Sequence, residues 1–441
     1  MDKDLAGVDP ATLERLKALV RGGVAHCGAA DIAPFSGTIC DLSDSAAVAE
    51  WRERGLDEVA KGHVAVLLLA GGQGSRLGYD HPKGMYDLGL PSGKSLFQLQ
   101  AERIVRVQRL ACARAGTVCA SPARLVHWFV LTSAATHAET VAFFQAHQCF
   151  GIAPECVHFV QQGMLPALDR NGTPLRESAH TVVLSPNGNG GVWQAMAHSG
   201  SLALMQRAGV QYVFQYGVDN VLVTVADPVL VGFLAASGSD VVSKVVRKTD
   251  PNEAVGVFCM RDGHPGVAEY TEISEDARTL RDPATGQLVY SASHVCINAF
   301  TVAFLAQHAL EPLPFHVAHK KVSYVDDTGA LVHPAEPNAY KAEMFIFDMF
   351  RYAEHMALLC APRESDFSPL KNASGTKADN PDTCRAALFA LHRRWLEDAG
   401  ATIDSTHSSV CEVSPLVSYG GEGLGAVKGR AFVLPLHLDA L

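Results

Sequence analysis

The stretch Leu69-Ala70-Gly71-Gly72-Gln73-Gly74-Ser75-Arg76-Leu77-Gly78 holds the residue types best suited to chemistry in this chain. It closes an unbroken apolar run, Val64 to Ala70. Gly71, Gly72 and Gly74 allow a turn whose backbone N–H groups point at an anion with no side chain in the way. Arg76 adds a planar, permanently charged donor fork. A short step on, His81-Pro82-Lys83-Gly84 sets a second cation behind a stiff proline. Two cations beside a glycine loop suit a triphosphate, whose charge must be neutralised before a nucleophile approaches. Two commoner phosphate motifs fail on spacing. G-x-G-x-x-G read from Gly72 would need a glycine where Leu77 stands, and G-x-x-x-x-G-K-[ST] ending at Gly93-Lys94-Ser95 would need one at Leu88. Glycines after a strand also make plain turns, and Arg76 and Lys83 weigh against that simpler reading.

Further candidates follow along the chain. Gln162 closes a strand-like run, and its amide offers both a donor and an acceptor to a nucleobase edge. Pro186-Asn187-Gly188-Asn189-Gly190-Gly191 is too glycine-rich for a helix; its backbone can approach a flat base at Gly188, and Asn189 can reach a sugar hydroxyl. Asp219 follows the strand pattern Tyr212 to Val218. Ligands collect at the carboxyl ends of strands in open α/β sheets, and a carboxylate there suits Mg²⁺, although it could instead cap the next helix. Gly256 and Glu269 fall on a candidate hairpin, Glu269 being either a sugar-hydroxyl acceptor or an outward-facing strand residue. Phe345 and Phe347 read equally as core, and Lys371 by itself reads as a solvated lysine. His316 and His319 are not at a zinc spacing and are read as structural.

The elements that must position these residues alternate. An N-terminal helix is expected over 9–23, with Asp9 as N-cap, Pro10 at the first position and Gly22-Gly23 as the stop. Strands are expected at 64–70, 125–131, 157–161, 212–218 and 240–247, and helices at 96–115, 136–147 and 192–207. Val255–Met260 and Val267–Ile273 read as a hairpin through Asp262-Gly263. Alternating strands and helices predict a three-layer α/β domain. The expected division is an N-terminal helical arm over 1–60, a catalytic domain over 61–355 and a small C-terminal domain over 356–441. With 48% hydrophobic and 19% charged residues the chain is globular, and a net charge of −10 disfavours nucleic acid as the main partner. Eleven cysteines without a Cys-x-x-Cys pattern read as reduced thiols of a cytoplasmic protein. The start lacks a signal-peptide layout, and no apolar run is long enough to span a bilayer.

LAGGQGSRLG, followed by PKGMYDLGLPSGKSLFQLQAERI, resembles the signature of eukaryotic UDP-N-acetylhexosamine pyrophosphorylases. FVQQGMLPA (159–167), SPNGNGGVWQAM (185–196), YGVDNVLV (216–223), EAVGVF (253–258), VAEYTEI (267–273), HVAHKKVSYVD (316–326), FIFDMF (345–350), DFSPLKNA (366–373) and EVSPLVSYGGEGL (412–424) extend the resemblance in order over about residues 60–425. It implies a three-layer, Rossmann-like nucleotidyltransferase (GT-A-like) domain with a mixed sheet. The implied reaction joins UTP to N-acetylglucosamine 1-phosphate, giving UDP-N-acetylglucosamine and pyrophosphate, with Mg²⁺ (or Mn²⁺) as cofactor. The acting form would be a monomer or homodimer with no nucleic-acid or membrane partner. By the same resemblance Leu69, Ala70, Gly71 and Gly72 hold the nucleotide, Gln162 the uracil and Gly188 the uridine, with Asp219 at the metal. Asn189, Gly256, Glu269, Asn298, Phe345 and Phe347 contact the sugar, with Ala195 near its N-acetyl group. Arg76, Lys83 and Lys371 take up phosphate charge. The chain departs from the family at Cys296-Ile297-Asn298-Ala299, where an asparagine followed by histidine is usual and Asn298 lies one place late; the stretch 396–410 is also short. Alternatives are a related uridylyltransferase acting on glucose 1-phosphate or several sugar phosphates, and a non-catalytic UDP-sugar-binding protein. Ala70 and Gln73 with Arg76 favour the N-acetylhexosamine branch.

Overall fold

A computed structural model describes residues 8–22, 32–117 and 125–441. The strand Val64–Leu69 is buried along its whole length. Its alternating side chains divide between two cores: Val64, Val66 and Leu68 enter one, and Ala65, Leu67 and Leu69 the other. A strand apolar on both faces must be covered on both, and a three-layer sandwich is the result. On one side the helices Ser45–Ala60, Leu96–Arg114 and Pro228–Ser237 lie against the sheet. On the other lie Val192–His198, Ser201–Arg207 and Val302–His308.

The sheet has eleven strands. Its main path runs Thr38–Asp41, Met356–Ala361, Val241–Arg247, Ala292–Thr301, Tyr212–Gly217, Val64–Leu69, His127–Thr132, Val157–Gln161. All neighbours along it are parallel except at Ala292–Thr301, which is antiparallel to both of its partners. The mixed sheet is thus as expected. Leu69 pairs with Leu131 and with Gly217, and Thr132 pairs with Gln161. This register ends several parallel strands on one rim. The hairpin also forms, as Val257–Arg261 and His264–Ala268, turning at Asp262 and Gly263, both of positive φ.

Several expectations are corrected. Thr38–Asp41 pairs in parallel with Met356–Ala361, which pairs in turn with Val241–Arg247. Boundaries at residue 60 and at residue 355 therefore cut through the sheet. Sequence periodicity cannot see pairing across such a distance. A separate apolar core forms only further on, around Leu396, Cys411, Val413, Leu424 and Leu434. The helix expected over 192–207 is two, because Gly200 takes a left-handed φ of 75° between them. The N-terminal helix is Pro10–Arg21, capped by Asp9 and Gly22 as expected, and Gly23 lies outside the described residues. Among the described residues eight cysteines are free thiols, whereas Cys112 is in a disulfide, so the thiols are not all reduced. Among the described residues no helix is long and apolar enough to cross a membrane.

One ion cluster crosses the layers. Lys244, 3% exposed, reaches Asp227 at the N-cap of Pro228–Ser237 and Asp366 beyond the last sheet strand, each at 2.5 Å. Burial alone would depress the ammonium, but the two carboxylates outweigh it and raise its pKa. Replacing Lys244 with Met leaves two buried carboxylates unpaired. We expect Lys244→Met to lower unfolding free energy by about 3–5 kcal/mol, read as a reduced denaturation midpoint.

Candidate active site

The glycine loop is held at both ends. The Ala70 N–H donates to the Leu131 carbonyl at 2.9 Å, and the Lys83 N–H donates to the Gly72 carbonyl at 3.2 Å. The Gly74 N–H donates to the His81 carbonyl at 3.0 Å, so loop and Lys83 segment pair like a short ribbon. Gly72 faces open space, and the Gln162 side chain lies over Gly71, where an added Cβ would come within 3.1 Å of its Oε1. Leu69, Ala70, Gly71, Gly72 and Gln162 therefore meet at one place on the sheet rim. Gln162 gets there because its N–H donates to the Thr132 carbonyl at 2.9 Å, one step past the strand end.

Asp219 follows the neighbouring strand end. Its Oδ1 stands over Gly217, 2.9 Å from where a Cβ would be, with the Cys296 Sγ close by. The helix Leu96–Arg114 fixes this turn from beneath. Gln100 donates to the Val218 carbonyl at 3.1 Å, and the buried Arg103 guanidinium donates to the carbonyls of Val221 and Val223 at 2.9 and 3.0 Å. Asn220 then draws in a distant segment. Its Nδ2 donates to the Asp366 carbonyl at 2.7 Å, and its Oδ1 accepts from the Ser368 N–H at 3.0 Å. The Leu370 N–H donates to the Asp219 carbonyl at 2.8 Å, and the Lys83 Nζ donates to the Leu370 carbonyl at 3.2 Å. Lys83, Asp219 and Lys371 are thereby gathered around Leu370. The Cys296 thiol, pushed up to about 12 by burial, feels both Asp219 and Lys371.

Beside this rim opens a cleft of about 990 Å³, lined among others by Arg76, Glu269, His316, Phe345, Phe347 and Asp348. Gly188 has a φ of 85° and lies so close to the Met344 carbonyl that a Cβ would sit 2.3 Å from its oxygen. Only glycine fits this crossing of two backbones. The next residue, Asn189, accepts from the Ile346 N–H at 2.9 Å and so sets the segment bearing Phe345 and Phe347. Those two rings lie 5.1 Å apart. Gly256 is packed against Glu269, where a Cβ would stand 2.9 Å from Oε1. Burial, then the neighbouring Glu272, raise the Glu269 carboxyl pKa, with His316 and Lys371 opposing.

Asn298 is a correction. It is fully buried between strands: Ser243 donates to its Oδ1 at 2.5 Å, and its Nδ2 donates to Gln215 at 2.5 Å. It does not line the cleft, and both ends of its amide are engaged inside the sheet. A bulge between His294 and Ile297 gives Cys296 a φ of 56° and turns its Sγ toward Asp219.

The sequence profile of the family described as UTP–glucose-1-phosphate uridylyltransferase matches residues 39–428. UDP-N-acetylhexosamine pyrophosphorylase-like protein 1 of Homo sapiens is 45% identical over 417 residues, covering 90% of this chain and 81% of that protein. UDP-N-acetylglucosamine pyrophosphorylase of Saccharomyces cerevisiae is 41% identical over 389 residues, covering 87% and 79%. The chain belongs to the UDP-N-acetylhexosamine pyrophosphorylase family. A crystal structure of the uridine diphosphate N-acetylglucosamine pyrophosphorylase from Trypanosoma brucei, in complex with inhibitor, superposes with a TM-score of 0.83 at 29% identity, covering 99% of this chain and 91% of that one.

Within this family fold, several site-building residues escape a reading by residue type. Gln100, Arg103 and Asn220 act by holding backbone carbonyls and N–H groups. Glu272, His316 and Asp348 form a charged chain along the cleft, although all three lie in strings already singled out. Asn220→Ala removes both ends of the amide bracket on residues 366–368. We expect it to cost about 1–3 kcal/mol in unfolding free energy. Its effect on turnover should exceed that of a surface Asn→Ala change in the same assay, because Lys371 loses its anchor.

Proposed function

We propose that the chain transfers the uridylyl group of UTP to N-acetylglucosamine 1-phosphate, reversibly, forming UDP-N-acetylglucosamine and pyrophosphate. The observation that carries this reading is the convergence at Leu370: Lys83, Asp219 and Lys371 meet there, on the rim that also bears the glycine loop and Gln162, while Arg76 just past that loop lines the cleft. A nucleotide lying across the rim would set its base at Gln162 and Gly71 and its phosphates toward Lys83 and Arg76. The sugar then falls into the cleft, where Glu269 accepts from hydroxyls, Asn189 frames the ring and Phe345 with Phe347 offer an apolar wall to the N-acetyl methyl.

A phosphate oxygen of the sugar phosphate attacks the α-phosphorus in line; the bond to the β-phosphate oxygen breaks and pyrophosphate leaves. The nucleophile is already an anion, so no residue has to remove a proton. Positioning and charge stabilisation supply the rate. Lys83 and Lys371, tied to one carbonyl and its successor, act as a pair of fixed cations. Mg²⁺, or Mn²⁺, suits Asp219, since Mg²⁺ is commonly held by one or two carboxylates plus substrate phosphates, and no cluster of three or more metal-binding side chains occurs among the described residues. Bound there, it would neutralise phosphate charge. The chain would act in the cytoplasm, as a monomer or homodimer; the eight free cysteines among the described residues support that compartment, and the disulfide at Cys112 runs against it.

Pyrophosphate release should be measured with N-acetylglucosamine, N-acetylgalactosamine and glucose 1-phosphates. The two amino sugars should exceed glucose 1-phosphate in kcat/KM; a glucose preference would overturn the assignment. Asp219→Asn and Lys371→Ala should each lower kcat by about 10²–10³. Near-normal turnover would remove that residue from the phosphate site.

A further inference from the structure

The cleft has two walls that come from different parts of the chain. Glu269 follows the hairpin, and Phe345 precedes the short helix Ile346–Tyr352. Each is held by a carboxylate through its backbone. The Glu269 N–H donates to Glu272 Oε2 at 3.2 Å, and the Phe345 N–H donates to Asp348 Oδ2 at 2.8 Å. Between these carboxylates stands one imidazole. His316 Nε2 lies 3.0 and 3.1 Å from the Asp348 oxygens, and Nδ1 lies 3.4 Å from Glu272 Oε1. Its ring packs on Phe345 with centroids 4.3 Å apart.

We propose that His316 is a positioning residue for the sugar half of the site: as an imidazolium it ties the Glu269 wall to the Phe345 wall and so sets the width of the cleft. This rests on the reaction proposed above. Both ring nitrogens face carboxylates, Nε2 in hydrogen bonds to Asp348 and Nδ1 in an ion pair with Glu272, and only the doubly protonated ring presents a proton to both. A neutral ring would leave one carboxylate without its donor.

The charges around the ring support the doubly protonated form. Glu272 and Asp348 bond it, Glu269 stands beside Glu272, and Arg261 donates to Glu272 Oε2 at 2.6 Å. Arg76, Asp262, Lys320, Lys341, Glu343 and Arg351 complete the charged lining of the cleft. Burial alone would lower the imidazole pKa; the bonds to Asp348 and Glu272, with their charge, outweigh it and raise it to about 9. Burial would likewise raise Glu272, but His316 and Arg261 bring it down to about 2. A raised histidine pKa means that the tie is fully made below about 6.5 and is lost as pH rises through about 9. A lowered carboxyl pKa means that the Glu272 end is made above about 4.5 and is lost as pH falls through about 2.

His316→Gln should raise KM for N-acetylglucosamine 1-phosphate about tenfold or more, with kcat and the KM for UTP changed less than about twofold. In the unmodified chain the sugar-phosphate KM should climb between pH 7.5 and 9.5. It should stay high and flat in His316→Gln, and His316→Lys, which keeps a cation at higher pH, should restore part of the affinity and delay the climb. Asp348→Asn, which preserves shape, should move the same KM in the same direction. Histidine-selective NMR of the full chain, with the His316 signal assigned by its loss in His316→Gln, should show titration near pH 9. An unchanged sugar-phosphate KM in His316→Gln, an equal rise in both KM values, or ordinary titration near 6.5 would each overturn the inference while leaving the reaction standing. Absence of uridylyl transfer by the unmodified chain would defeat the reaction itself and this inference with it.

Discussion

A buried ammonium between two carboxylates sits beneath the whole site. Lys244 projects from a central strand and joins Asp227, which starts a helix on one layer, to Asp366, which starts the segment leading to Lys371. Removing three charged groups from water carries a desolvation cost of several kcal/mol per ion, and only close contacts on both sides offset it. The arrangement makes sense as a fixed point. The Asp366 carboxylate binds Lys244 while its carbonyl accepts from Asn220, the residue after Asp219. Two sequence-distant strand exits are thus tied to one anchor, and the cations around Leu370 take their positions from it. Phosphate chemistry demands this kind of rigidity, because electrostatic stabilisation depends on donors that do not have to reorganise.

The cleft shows a different construction. Its walls are short irregular pieces, and their backbone N–H groups would lack partners if left to themselves. Carboxylates accept those bonds, and one histidine holds the carboxylates together. The rim is rigid because strands end there; the cleft is rigid because charges do. Gly188 and Gly256 belong to this second scheme, since each lets another group approach closer than a methyl would permit.

Much of this could be read from the chain in advance. The apolar run at 64–69, the glycine loop and Lys83 stand next to each other in sequence, so local rules suffice to place them. The place of Asp219 just past a strand end was legible from the apolar run that precedes it. Lys371 was legible only through its resemblance to a family, because a lysine in an irregular proline segment carries no local signal; its place depends on Asn220 and Asp366. Asn298 misled because it was carried over from the family pattern although it lies one place late here, and Ser243 and Gln215 engage it inside the sheet. The bulge beside it shifts which side chain faces out, and no period of two survives such an insertion. The edge strand at 38–41 and its neighbour at 356–361 were missed as one sheet because short strands gain their identity from partners, not from pattern.

That last pairing has a bearing on biosynthesis. Thr38 lies opposite Ala357, so one border of the sheet waits for residues made more than three hundred positions later. Chains emerge from the ribosome at roughly 5–20 residues per second. For some tens of seconds the early strands and the phosphate loop therefore exist without their closing neighbours, and contacts of such long range form late. The nascent polypeptide passes through that interval with an open β-edge and without the segment around Leu370, which is made only in the final fifth of translation.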